Sequence, residues 1–216
     1  MMIHPPLHLP DLCIDLDPVL LALLNDANPQ SVCEQLMRDA VHAGADQFSL
    51  DLAVASLTLT AEGVQSLLRT CPLPVYVYAS AQDALAQRLW QQGLIAGQIA
   101  PEPVADASWV AVANPDSAAL QAAHAQGARS VLLELPLEGA QAAADFAALC
   151  SAATQAGISL RLPLGSVQQV AAVRSFPCCR VLELGQGLLA NALLSGWGSA
   201  VATAKAELIR LYGPQS

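Results

Sequence analysis

The sequence predicts a single (β/α)8 TIM barrel over residues 1–216, with residues 1–10 as an N-terminal tail. Three observations carry this. Short apolar runs alternate with helical patterns about eight times, the order of an α/β fold. The 216 residues are 54% hydrophobic and only 12% charged, enough for one well-buried domain and short for two. Glycine-bearing turns follow the last two runs, where barrels that take phosphorylated ligands commonly hold them. An open doubly wound sheet is the runner-up reading, and no linker, low-complexity segment or short-period repeat interrupts the pattern.

The elements follow in order. The first strand is Leu12 to Leu16, with Asp17 and Pro18 as helix-start chemistry. A helix spans about Ser31 to Ala43, with Ser31 as N-cap and Gly44 as stop. The second strand, Gln47 to Leu52, alternates with period two. Thr60 caps a helix reaching about Arg69. The third strand is Pro74 to Tyr78, and a helix from about Ala81 to Gln92 stops at Gly93. Ile95 to Ala100 is the fourth strand, ended by Pro101, Glu102 and Pro103; no clear helix precedes the fifth, Trp109 to Ala113. Asn114, Pro115 and Asp116 then start a helix that ends at Gly127. The sixth strand is Ser130 to Leu135, followed by an alanine-rich helix from about Glu138 to Ala156. The seventh is Ser159 to Leu162, ending in Pro163, Leu164, Gly165 and Ser166. The eighth is Val181 to Leu184, and a last helix covers about Ser199 to Leu211. Trp90, Trp109 and Trp197 read as structural.

Charge restricts the partners. The formal net charge is −9, with nine basic residues and one lysine, Lys205, so neither nucleic acid nor an anionic membrane is an expected partner. No apolar run reaches the ~18 residues of a membrane span. The N-terminus MMIHPPLHLP lacks the basic and apolar regions of a signal peptide, which makes the cytoplasm the expected compartment. The six cysteines have the spacing of neither a zinc site nor a disulfide framework and read as buried thiols. The adjacent pair Cys178–Cys179 reads as a strand entry, with a redox role as the lesser alternative.

In a barrel the strands' C-terminal ends form the active face. This chain places Asp15, Asp17, Asp51, Glu102, Glu134, Glu138 and Glu183 there, but no histidine. Asp15, Asp51, Glu134 and Glu183 fall within or at the ends of apolar strands, where a carboxylate must be paired, protonated, metal-bound or facing water. Asp51, Glu134 and Asp15 are the acid/base candidates, with Tyr76, Arg161 and Glu183 as pocket residues. With one inward arginine the set leaves negative charge unbalanced, which suits an amine-bearing substrate or a divalent cation. The acids have no tight ligand spacing, so neither a metal nor another cofactor is expected. Gly165 and Ser166 after the seventh strand, with Gly185, Gln186 and Gly187 after the eighth, form the expected phosphate site, completed by a short helix over Leu188 to Leu194.

Several of these stretches resemble pyridoxine 5′-phosphate synthase, a barrel enzyme of vitamin B6 biosynthesis. The segment LELGQGLLANALLSG is similar to that family's "ELNIGHAIIGRA". Cys13-Ile14-Asp15 resembles "NID", Ala43-Gly44-Ala45-Asp46 matches "AGAD", Ala100-Pro101-Glu102 resembles "VPE", and Glu134 falls on the acid-bearing sixth strand. The resemblance implies condensation of an aminoketone phosphate with 1-deoxyxylulose 5-phosphate, without a metal, in an oligomer. Family histidines fall on Asp51, Leu164 and Gln186, and the third-strand glutamate on Tyr76; Asp15, Glu134, Gly165 and Gly185 remain. The expectation is a divergent member that binds a small phosphorylated or amine-bearing metabolite, with the parent condensation lost or altered. The alternative is a non-catalytic paralogue that acts as a ligand-binding or scaffold/partner protein; apolar helix faces would allow a homo-oligomer as in the family, and a heteromeric partner is the third reading.

Overall fold

In a computed structural model, which describes residues 9–105, 108–134 and 140–213, eight strands pair parallel in chain order and close, the last onto the first. They are β1 (Asp11–Asp15), β2 (Gln47–Asp51), β3 (Val75–Tyr78), β4 (Gly97–Ala100), β5 (Trp109–Ala113), β6 (Ser130–Leu133), β7 (Ser159–Leu164) and β8 (Cys179–Leu184). Closure in chain order excludes the doubly wound sheet, whose strand order reverses partway. The described helices are α1 (Asp17–Ala22), α2 (Pro29–His42), α3 (Leu52–Thr58), α4 (Ala61–Thr70), α5 (Ala84–Gln91), α6 (Ser117–Ala125), α7 (Ala140–Ala156), α8 (Val170–Val173), α9 (Gln186–Ser195) and α10 (Trp197–Tyr212).

Side-chain caps set several helix starts. Thr60 Oγ1 accepts from the Gly63 N–H at 3.1 Å, Asp83 from Ala86 at 2.8 Å and Asp116 from Ala119 at 2.7 Å. Each satisfies an N–H that has no partner within its helix. α2 begins at Pro29 rather than after Ser31, because proline in the first turn gives up an N–H the helix does not use. α3 was not expected: Asp51 ends β2 and caps α3 at once, its Oδ1 accepting from the Ala53 N–H at 2.7 Å. β7 runs two residues further than expected, because Pro163 falls beyond the last β6–β7 pair, where no ladder bond is lost. The expected sixth-strand end at Leu135 and helix start at Glu138 lie outside the described residues.

Between β4 and β5, residues 101–108 contain no helix among the described residues. A cleft of about 600 Å³ opens there, lined by Gln87, Trp90 and Gln98 among others. The strand wall is tied locally instead. Trp109 Nε1 donates to the Ala100 carbonyl at 2.9 Å, and Gln98 Nε2 donates to the Ala79 carbonyl at 3.2 Å.

The core between strands and helices is aliphatic, as the apolar faces require. The barrel interior is divided. On the β3–β6 side, Ile99, Val110 and Leu132 pack with Tyr76 and Tyr78. On the other side Cys13, Gln47, Ser49, Arg161 and Glu183 are buried together.

Candidate active site at the barrel mouth

Arg161 projects from β7 into the interior at 1% exposure. Its Nε donates to Glu183 Oε2 at 2.7 Å, one terminal nitrogen donates to Gln47 Oε1 at 2.8 Å, and the other reaches Cys13 Sγ at 2.7 Å. The guanidinium lies 4.8 Å from the centre of the Tyr76 ring. Tyr78 Oη donates to the remaining Glu183 oxygen, Oε1, at 2.6 Å. Burial, then the Glu183 charge, pushes the Tyr78 phenol well above the usual tyrosine range, so it stays a donor. Burying this ion pair is tolerable because both partners' polar atoms are satisfied. Tyr76, Arg161 and Glu183 are thus brought together, as a closed floor beneath the mouth.

Above the floor, three carboxylates form a chain along β1 and β2. The Asp17 N–H donates to Asp15 Oδ1 at 3.0 Å, and the Asp51 N–H donates to Asp17 Oδ1 at 2.8 Å. Burial raises the Asp15 carboxyl to about 7, with the charge of Asp17 next in weight. Burial also raises Asp17 to about 6, the Asp51 charge adding to it against the hydrogen bond from the Asp51 N–H. Asp17, which the sequence places among the mouth acids but not among the acid/base candidates, belongs to this group. Its aspartate two residues after Asp15 was the available signal. Glu134 stands exposed just past β6, with no hydrogen bond among the described residues, and is not brought to Asp15 and Asp51.

The two glycine turns meet beside Asp15. A methyl group on Gly185 would run into Asp15 Oδ2, and one on Gly187 would run into the Gly165 carbonyl oxygen. Only glycine permits such approaches. α9 begins at Gln186, two residues before the expected Leu188, with Gly185 as its N-cap and no side chain capping it. Gln186 and Gly187 are therefore its first two residues, and Ser166 follows Gly165 at the facing turn. The Gly165 N–H is already used, donating to Gln169 Oε1 at 2.7 Å. On the other side of the mouth, a groove of about 480 Å³ is lined by Asp51, Tyr78, Asp83, Ile99 and Val112 among others.

A closed parallel barrel whose mouth joins a carboxylate chain to a pair of glycine turns falls in the TIM-barrel class. Solved structures agree on that fold. The chain is similar to a tryptophan synthase alpha chain from Legionella pneumophila (TM-score 0.69, 15% identity, 95% of this chain and 94% of that one). It is similar to a tryptophan synthase structure from M. tuberculosis (TM-score 0.65, 16% identity, 94% and 93%). A phosphoribosylanthranilate isomerase from Thermotoga maritima also matches (TM-score 0.58, 11% identity, 92% and 98%). No family model matches the sequence, and neither does any curated protein.

These findings correct the expected kinship with pyridoxine 5′-phosphate synthase, and with it the vitamin B6 function: the similar barrels include tryptophan synthase alpha chains and an isomerase. The shared motifs have fold-level reasons. In Ala43-Gly44-Ala45-Asp46, Gly44 takes φ +100°, Ala45 is buried, and Asp46 Oδ2 accepts from the Leu12 N–H at 2.7 Å and pairs with Lys205. Gly185 and Gly187 are fixed by close backbone approach. Short matches built on such requirements recur in barrels of different chemistry. Among the described residues, no helix is long and apolar enough to cross a membrane.

Proposed function

We propose that this chain is a barrel enzyme that moves a proton on a small phosphorylated metabolite, in the manner of a lyase or isomerase. Asp15 exchanges the proton, Asp51 assists from the groove side, and the turns at Gly165, Ser166, Gly185, Gln186 and Gly187 hold the phosphate. The observation that carries this reading is the Asp15 carboxyl, raised to about 7 by burial while it lies against Gly185 at the mouth. A group that is half protonated near neutral pH serves as acid or base without further tuning. The carboxyl lies against Gly185, the N-cap of α9, whose first turn offers N–H groups and a positive helix end. The name of the phosphoribosylanthranilate isomerase, which acts on a phosphoribosyl compound, supports the same substrate class. Self-association belongs to the reading as well, since α9 presents Leu193 and Leu194 at 81% and 90% exposure.

The test is hydrogen exchange in D2O, followed by NMR, on a panel of sugar phosphates and phosphoribosyl compounds. Wild-type protein should wash deuterium into one carbon position of a substrate, and Asp15→Asn should abolish that exchange. Millimolar phosphate should still raise the melting temperature of both. Binding without exchange would return the chain to the non-catalytic alternative. Exchange that survives Asp15→Asn would remove Asp15 from the role.

A further inference from the structure

At the end of the barrel opposite the mouth, three thiols from separate elements converge. Cys150 lies on α7, Cys178 in the turn before β8, and Cys179 opens β8. Their sulfurs all lie within 4.8 Å of one another, and the residues are 3%, 7% and 1% exposed. A free buried cysteine ordinarily packs as a small apolar group among leucines and valines. Here three sulfurs face each other instead.

A second observation points the same way. Tyr212, at the end of α10, is 6% exposed, and its hydroxyl is the buried side-chain oxygen or nitrogen that lacks a hydrogen-bond partner among the described residues. Burial pushes that phenol above the usual tyrosine range, and Cys179, Cys178 and Cys150 are the ionisable groups near enough to add to the effect. A buried hydroxyl is rarely left unpaired. A thiolate sulfur or a metal ion would give this one the partner it lacks.

We propose that Cys150, Cys178 and Cys179 bind a thiophilic divalent cation, zinc in the cell, with Tyr212 Oη as fourth ligand or as donor to one of the sulfurs. Zn–S bonds of about 2.3 Å place tetrahedral sulfurs roughly 3.8 Å apart. Contraction from at most 4.8 Å needs side-chain shifts of about an ångström or less. As the three S–Zn bonds form, the three thiol protons pass to solvent, leaving the site with one net negative charge. A cleft of about 250 Å³, lined by Cys178, Thr154 and Arg180 among others, gives the ion a route in and sets a cation near the remaining charge.

The sequence spacing hides such a site, because Cys150 lies far from the other two and α7 must fold against β8 before the three meet.

The test is titration of the full reduced chain with Cd2+, followed by sulfur-to-metal charge-transfer absorption in the ultraviolet. The band should grow linearly and stop at one equivalent. Zinc added first should suppress it, and protein produced in zinc-supplemented medium should contain one zinc per chain by elemental analysis. Cys150→Ser and Cys178→Ala should each lose the stoichiometric band, while Cys33→Ser, buried on α2, keeps it. Tyr212→Phe should keep the band with affinity on the order of tenfold weaker. Should the variants misfold, the wild-type titration and zinc content decide alone. Absence of the band in wild type at a full equivalent overturns the proposal, as does a band that persists when Cys150 and Cys178 are both replaced.

Discussion

Asp15 Oδ2 lies so close to Gly185 that no side chain larger than hydrogen fits between them. The carboxyl at the end of β1 and the turn at the end of β8 are therefore one mechanical unit. Gly185→Ala should push Asp15 out of place and cost about 1–3 kcal/mol, the usual range for overpacking. Gly165→Ala is the contrast: its new methyl would meet nothing nearer than Gln169 Oε1 at 3.5 Å, so stability should stay within about 0.5 kcal/mol. Urea midpoints of the two variants check the difference.

The pH dependence of stability has a fixed sign. Asp15 and Asp17 are raised to about 7 and about 6 in the folded chain. An unfolded aspartate titrates near pH 4, so the folded chain holds protons that the unfolded chain has released. The contribution of these groups is fully present below about pH 4 and is lost as pH rises through 6 and 7. Asp15→Asn keeps an oxygen for the Asp17 N–H and should flatten that slope, gaining on the order of 2 kcal/mol over wild type at pH 8. Denaturant midpoints from pH 4 to pH 8 measure it.

Removing half of the buried ion pair should be severe. Arg161→Met leaves Glu183, 4% exposed, with Tyr78 as its one remaining donor among the described residues, and should cost about 3–5 kcal/mol. The double variant Arg161→Met/Glu183→Leu should recover much of that loss, since well-packed apolar groups often replace a buried pair at little penalty. A double-mutant cycle on unfolding free energies reads the coupling.

Asp51 carries a structural and a chemical assignment that two substitutions separate. Asp51→Ala removes the α3 cap and should cost about 1 kcal/mol, whereas Asp51→Asn keeps an acceptor for the Ala53 N–H. If Asp51 assists proton transfer, both should lower turnover while only the alanine variant lowers stability. Thermal unfolding and deuterium exchange, run on the same samples, distinguish the two effects.

The strands were legible because barrel strands buried on both faces read as apolar runs, and the glycine turns because nothing else can occupy them. α3 was not, since Leu52 to Thr58 lacks a polar start of its own and borrows Asp51 from the preceding strand. The partner of the one inward arginine was not legible either. Which of Glu183, Glu134 and Asp15 meets Arg161 depends on strand register around the closed barrel: Cys13 beside Glu183, Cys13 beside Gln47, and Leu132 beside Arg161. No local pattern encodes that register. The family resemblance failed because its motifs follow the demands of the fold and not of a reaction.

The connection from β4 to β5, which carries no helix among its described residues, bears on how the chain could be rearranged. Every other strand-to-strand passage carries at least one described helix, and cutting it would sever an element that packs on the barrel. A break in residues 101–108 severs no described element, and Trp109 still reaches the Ala100 carbonyl across the gap. Circular permutants opened there, and separately expressed halves that end with β4 and begin with β5, are the versions of this barrel most suited to reassembly.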